Sequence, residues 1–264
     1  FIWFFILSVP VGIMQARVGK KLMLNIGMGI TGVGLLLPFF LYNFTSILIG
    51  FALLGIGNTI VQVSANPLLV DVVSGRRASS FLSFSQFVKA IGSMIAAPLA
   101  VFFASRMGDW KLLFLIFGIV SVLSVLLLSS VKIEESAVTE KKPTFASAFA
   151  LLSNSYVLMM VLAIFLVVGI DVGFNYFSGK YLETRIGFDP DNAQKGRSIY
   201  FLGRMAGTFL GAFILTRLSS SKGFLYSSLL SIISIAVFLA VPAKAAALPL
   251  VFVIGFGVAN IFPL

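Results

Sequence analysis

The chain reads as an all-α, polytopic membrane helical bundle. Three observations predict this. Hydrophobic residues make up 59% of the 264 positions and charged residues only 11%, where a soluble domain averages nearer ~25% charged. Mean hydropathy is +1.08. The apolar residues also fall in blocks of about twenty, the length that crosses a hydrocarbon core of roughly 30 Å at about 1.5 Å per residue. Long apolar runs satisfy their own backbone hydrogen bonds in lipid only as helices. A membrane β-barrel would show shorter, alternating segments.

Nine apolar segments follow one another: 1–14, 22–41, 46–70, 81–104, 112–131, 156–181, 198–216, 223–241 and 248–264. The first and last are partial, and the chain reads as cut inside a span at both ends. Alternate short loops differ in charge. One set carries Arg17, Lys20, Lys21, Arg76, Arg77, Arg217 and Lys222; the other carries only Arg106, Lys111 and Lys244. The positive-inside rule places the first set in the cytoplasm. The polar stretch with Glu134, Glu135, Glu140, Lys141, Lys142 and Pro143 falls on the same side and reads as a linker. The division expected is an N-terminal helical half over 1–131, a cytoplasmic linker over 132–155 and a C-terminal helical half over 156–264.

A weak internal repeat has a period close to 200 residues. Gly55-Ile56-Gly57 returns as Gly255-Phe256-Gly257, Arg17 as Arg217, and Asn66-Pro67-Leu68 is echoed by Phe262-Pro263-Leu264. Parallel duplication of six-helix halves is an established transporter architecture and would give about this period.

Composition also excludes chemistry. Without Cys there is no disulfide, thiol nucleophile or thiolate metal site, and without His the commonest metal ligand and general base are gone. No cofactor and no catalytic residue is expected. The balance of 19 basic to 9 acidic residues gives net +10. In a membrane chain this charge decorates loops, and no basic run interleaved with aromatics points to nucleic acid.

Inside spans the polar residues carry the information, because a charge at mid-depth costs about 2.5–3.5 kcal/mol even on lenient scales. Lys89, Asp171 and Arg204 are the deep ionisable groups. Around them, polar residues recur at helical spacing: Asn58, Gln62 and Asn66, followed by Pro67; Ser83, Gln86, Lys89 and Ser93; Asp171, Asn175 and Ser178; Tyr200, Arg204 and Thr208. The last span adds Asn260. Converging stripes suggest a hydrated, substrate-sized cavity. Each has a plainer alternative: the amides can act as interhelical glue at about 0.6 kcal/mol apiece, and Lys89 and Arg204 can snorkel to the nearer surface. Asp171 is too short and too central to do so. Gly203, Gly207 and Gly211 form a G-x-x-x-G-x-x-x-G ridge for close approach of a second helix, and Gly27, Gly29, Gly32 and Gly34 are expected to serve similarly.

The first basic loop, Gly12-Ile13-Met14-Gln15-Ala16-Arg17-Val18-Gly19-Lys20-Lys21, resembles the G-x-x-x-D-R-x-G-R-R/K signature of the major facilitator superfamily. Gly12, Arg17, Gly19, Lys20 and Lys21 match; the acidic position is Ala16. Gln62-Val63-Ser64-Ala65-Asn66-Pro67-Leu68 resembles the E-T-A-A-N-P-F segment of fucose permease-type symporters. The stretch Ser85 to Ser93 is similar to that branch's A-Q-S-F-N-x-I-G-S, Val168 to Gly173 to its V-G-A-E-V-S, and Tyr200 to Gly211 to its Y-W-G-G-x-M-V-G-R-F-I-G. The departures are Gln62 for a carboxylate, Lys89 for a sugar-contacting Asn, and Thr208 for an Arg, with Arg204 one turn earlier.

The resemblance implies a major facilitator fold of two six-helix halves, one helix missing before the chain and two after it. It implies secondary transport of a monosaccharide or sugar derivative across the cytoplasmic (inner) membrane by alternating access, coupled to protons, in a monomer embedded in the bilayer. Gln62, Asn66, Gln86, Asn175 and Asn260 are then the hydroxyl-recognising residues, since amides both donate and accept. Asp171 is the candidate for proton binding or substrate contact. Lys89 is its counter-ion or an anion anchor. The first basic loop is a conformational latch. Two cations and one anion also leave open an anionic sugar or carboxylate held by Lys89 and Arg204.

Overall fold

The computed structural model describes residues 2–73, 77–135 and 143–261, and among them all regular structure is helical. Arg76, Glu140, Lys141, Lys142 and the Phe262-Pro263-Leu264 echo lie outside the described residues. The helices are α1 (Ile2–Val18), α2 (Lys20–Phe40), α3 (Phe44–Val72), α4 (Arg77–Met107), α5 (Leu112–Ser130), α6 (Phe145–Ala150), α7 (Ser155–Thr184), α8 (Pro190–Ile214), α9 (Ser220–Ala240) and α10 (Lys244–Val258).

Nine of these follow the nine apolar segments, and two of them begin at polar caps that hydropathy does not register. Asn43 caps α3 by accepting from the Ser46 amide at 2.9 Å, and Asp189 caps α8 by accepting from the Asn192 amide at 3.1 Å. Among the described residues six helices are long and apolar enough to cross a membrane: α2, α3, α4, α5, α7 and α9. The helices α1 and α10 are apolar but only 17 and 15 residues long. Helix α8 is diluted by Lys195, Arg197 and Arg204. The stretch expected to be linker contains α6, opened by a capping box between Thr144 and Ser147. Pro67, which brings no backbone donor, sits within an unbroken α3; a span tolerates proline where neighbours re-satisfy the freed carbonyl.

Two compact units form, one of Phe1–Ser74 with Ala97–Asn154, the other of Gly75–Ala96 with Ser155–Leu264. The first part of α4 therefore clusters with the later helices. In the first unit α2 packs on α3 and α5, and α1 on α3, around Val11, Met23 and Ile60. In the second, α8 and α9 pack on α10 and α7 packs on α8, around Leu182, Tyr200, Phe238, Val251 and Ile254. Large apolar side chains such as Met159, Phe165 and Leu166 on α7 stay uncovered, the pattern of a helix whose outer face is solvated by lipid.

Lipid removes most of the hydrophobic drive between helices, so close backbone approach must hold them together. The repeated glycines do this in both units. A methyl group on Gly57 of α3 would lie 2.8 Å from the Gly27 carbonyl of α2; on Gly257 of α10 it would lie 2.6 Å from Ser231 Oγ of α9. On Gly55 it would overlap Trp3 of α1, and on Gly255 the Tyr200 carbonyl of α8. Helix α3 thus meets α1 and α2 as α10 meets α8 and α9, which is the 200-residue repeat expressed as packing. The Gly203–Gly207–Gly211 ridge lies against α10, as its spacing predicts: a methyl on Gly207 would sit 2.6 Å from the Phe256 carbonyl. Gly29, expected to serve in the same way, faces open space.

Candidate functional site

The second unit brings three of the four polar stripes together. Helix α8 offers Tyr200, Arg204 and Thr208 from successive turns of one face. On α7, Asp171 receives two of them: Arg204 donates through Nη1 to Oδ1 at 2.7 Å and Oδ2 at 2.6 Å, and the Tyr200 hydroxyl donates to Oδ1 at 2.7 Å. Tyr200 is fully buried. Asp171 and Arg204 keep 27% and 21% of their side-chain surface, so water can still reach the pair. Arg204 does not snorkel; its guanidinium turns inward to the carboxylate. The counter-ion of Asp171 is therefore Arg204 rather than Lys89.

Helix α4 completes the site. Ser83 donates to Asn260 Oδ1 at 3.1 Å, Ser80 bonds the Ala212 carbonyl, and Phe87 packs on Phe209 with ring centroids 5.0 Å apart. These contacts set one face of α4 on α8 and the end of α10, and further along that face Gln86, Lys89 and Ser93 line a cavity. Asp171, Phe201, Arg204 and Thr208 line it from the other side. Its volume is about 110 Å³, room for several waters or a carboxylate-sized group but below the roughly 300–1,000 Å³ of a full ligand pocket. Its formal charge is +1: two cations against one anion. Lys89 lies twelve residues into α4, roughly 18 Å from the helix start, and its ammonium has neither ion pair nor hydrogen bond among the described residues.

The other expected residues are not among those that line this cavity. Asn175 is one turn further along α7 and does not line it. Asn260 is buried, and its amide is already engaged: Oδ1 accepts from Ser83, and Nδ2 donates to the Gly207 carbonyl at 2.7 Å. Here it clamps α10 to α8. Gln62 and Asn66 stand half-buried on α3 in the first unit. Their stripe-mate Asn58 lines a separate cavity of about 520 Å³ within that unit, with Met28, Thr31, Leu54 and Ser121. Phe201, which sequence reasoning passed over, adds a flat apolar wall to the charged cavity; an aromatic beside a polar stripe is its only advance signal.

The first basic loop lies wholly in the first unit. Gly19 has φ +96°, a conformation that favours glycine, and it reverses the chain between α1 and α2. Glu135 accepts from the Lys20 amide at 2.5 Å and the Lys21 amide at 3.0 Å, placing a carboxylate on the exposed N–H groups at the positive end of α2. Lys20 pairs with Asp71 of α3, Lys21 donates to the Val131 carbonyl at 2.6 Å, and Arg17 to the Pro143 carbonyl at 3.2 Å. Ala16 leaves the signature without its acid, and two acids distant in sequence stand against the loop instead. A methyl group on Gly12 would meet nothing within 4 Å.

Comparison with known proteins places these features in a family. The whole chain, residues 1–264, matches the model of the Major Facilitator Superfamily. The chain is 24% identical over 250 residues to a protein of Brucella abortus named glucose/galactose transporter, an alignment covering 87% of this chain and 60% of the relative. It is also similar in structure to FucP in its outward conformation, with TM-score 0.86 at 17% identity over 99% of this chain and 72% of that one; FucP is described as the fucose:proton symporter of E. coli. The proton:xylose symporter XylE, bound to 6-bromo-6-deoxy-D-glucose, gives TM-score 0.69 at 18% identity over 98% of this chain and 68% of its own. The chain thus spans about 60% of the length of the curated relative it matches.

Proposed function

Because the chain belongs to the Major Facilitator Superfamily, we propose that it acts in secondary transport of a monosaccharide or sugar derivative across a cytoplasmic membrane, by alternating access and coupled to protons. On this reading 1–131 and 156–264 belong to the two six-helix halves, 132–155 is their cytoplasmic linker, and the protein works as a monomer. The glucose/galactose transporter relative supports a hexose-like substrate. The two proton symporters of like fold support proton coupling.

One observation carries the mechanism: Asp171, Arg204 and Lys89, from α7, α8 and α4, line one polar cavity. An ion pair in such a place is expensive to desolvate, and intramembrane ionisable groups mark proton and substrate paths. Asp171 is the proton site. Ionised, it holds Arg204 and accepts from Tyr200; protonated, it loses its charge-assisted bonds and the cavity gains a positive charge. Gln86 offers a donor and an acceptor to a hydroxyl beside it, with Gln62, Asn66 and Asn175 as further hydroxyl partners and Asn260 engaged in packing until the helices shift. The loop from Gly12 to Lys21, braced by Glu135 and Asp71, latches one conformation.

Reconstitution of the full-length protein in vesicles tests this. Labelled sugars and sugar derivatives are offered with and without an inward proton gradient. Saturable uptake that accumulates against a gradient is expected, and Asp171→Asn should abolish accumulation while leaving sugar exchange. Gradient-driven accumulation by Asp171→Asn would remove Asp171 as the coupling site, and absence of saturable uptake of any sugar would remove the transport reading.

A further inference from the structure

We infer that the charged cavity of the second unit is a carboxylate subsite, so that the favoured substrate is a sugar carrying one negative charge, such as a hexuronate. The inference rests on the transport reading above and specifies its substrate class. It starts from a charge count. Of the residues lining the cavity, Lys89 and Arg204 are cationic, Asp171 is anionic and the others are neutral. Arg204 commits Nη1 to both oxygens of Asp171. That pair is self-neutralising, and it leaves the Lys89 ammonium as the uncompensated charge.

The position of Lys89 makes that charge informative. It lies deep within α4, too far from either helix end for a lysine side chain to reach, and although the residue is exposed, no carboxylate among the described residues pairs with it. An unpaired cation in a membrane segment is costly and is normally matched by a partner. Here a monoanion arriving as substrate supplies the match and brings the cavity to zero net charge. The remaining walls suit a sugar acid. Among the described residues the Gln86 amide has no hydrogen-bond partner, and it is able to serve a ring hydroxyl. Phe201 presents an apolar wall to the C–H face of a pyranose. The hydroxyls of Ser93 and Thr208 already donate to backbone carbonyls within their own helices, so recognition falls to Lys89, Gln86 and the free edge of Arg204. The volume of about 110 Å³ takes the carboxylate end of such a molecule, not the whole ring. A phosphate ester is excluded on charge, because it carries close to two negative charges at neutral pH.

The test uses the full-length protein in vesicles, with labelled galactose, galacturonate and a hexose 6-phosphate offered separately and in competition. The expected result is saturable galacturonate uptake at least tenfold above galactose. Lys89→Gln should lower it about tenfold, and Lys89→Arg should restore most of it, which separates loss of charge from misfolding. Galactose uptake that galacturonate does not inhibit would overturn the inference and leave sugar transport standing. Preferred uptake of the phosphate ester would overturn the carboxylate assignment. Galacturonate uptake unaltered in Lys89→Gln would remove Lys89 as the anchor. No uptake of any of the three would overturn the inference together with the transport reading on which it rests.

Discussion

Arg204 holds both carboxylate oxygens of Asp171 through one nitrogen, at 2.7 and 2.6 Å, while the Tyr200 hydroxyl closes on the same carboxylate from one turn earlier on α8. The two donors come from a single helix face and the acceptor from its neighbour, so the carboxylate is positioned by α8 as a unit. Separation of α7 from α8 at this point stretches all three bonds together. On the proposed reading, protonating this carboxylate would weaken one of the ties between α7 and α8.

The tie should be measurable as a coupling. Arg204→Gln leaves a carboxylate without its counter-charge in a poorly solvated place. For a fully buried pair, losing one partner costs about 3–5 kcal/mol; with about a quarter of each side chain exposed, about 2 kcal/mol is expected here. Asp171→Asn should cost less, and the double variant should be more stable than Arg204→Gln alone. Thermal or denaturant unfolding in detergent across the four proteins gives the interaction energy directly. Additive effects would show that the pair does not couple α7 to α8.

Much of this site was legible in the sequence because lipid makes polar residues conspicuous. The stripes on α4, α7 and α8 were visible as spacing, and all three line the one cavity. The partner of Asp171 was not. Spacing places Lys89 and Arg204 on helix faces without saying which face meets which. Asn260 illustrates the same limit. As an amide in a span it resembles a sugar ligand, yet Ser83 and the Gly207 carbonyl take both its ends. The missing acid of the basic loop was illegible for another reason, since Glu135 is 115 positions away from Lys20.

Glu135 should therefore matter more than its place in a polar stretch suggests. Its carboxylate takes two amide donors at the start of α2, where no side chain of the helix itself provides a cap. Substituting a capping group by alanine costs about 0.5–2 kcal/mol, and Glu135→Ala is expected to cost about 1 kcal/mol. Glu135→Gln, which keeps an acceptor but loses the charge, should cost less. Hydrogen exchange localises the effect: the Lys20 and Lys21 amides should exchange faster in Glu135→Ala, while those in the middle of α2 should not. Unchanged exchange at both amides would show that the contact contributes nothing.

Two glycines give a paired test of helix packing. At Gly207 a methyl group would lie 2.6 Å from the Phe256 carbonyl and 2.8 Å from Ala259 Cβ, whereas at Gly29 it would meet nothing within 4 Å. Gly207→Ala must push α8 and α10 apart, and overpacking of this kind costs about 1–3 kcal/mol. Gly29→Ala should be neutral or stabilising by up to about 1 kcal/mol, because alanine is the better helix former. Both substitutions add the same single carbon, so a difference in melting temperature between them isolates the interface. Equal effects would mean that α10 is not held by close approach to the glycine ridge.

The cap of α8 gives a pH-dependent signature away from the charged cavity. Asp189 accepts from the Asn192 amide at 3.1 Å and its side-chain Nδ2 at 2.7 Å, and these bonds hold its carboxyl below the usual aspartate range. A group whose pKa is lowered on folding stabilises the folded state above its unfolded value, about 3.9, and that contribution disappears as pH falls through the lower folded value. The Asp189→Asn variant keeps a capping acceptor but cannot titrate. The stability gap between wild type and Asp189→Asn should accordingly be constant from neutral pH down to about pH 5, then narrow as the solution is acidified further. Unfolding of the two proteins side by side from pH 7 to pH 3 measures it. A gap that widens on acidification would reverse the sign and show that the carboxylate is not stabilised by the start of α8.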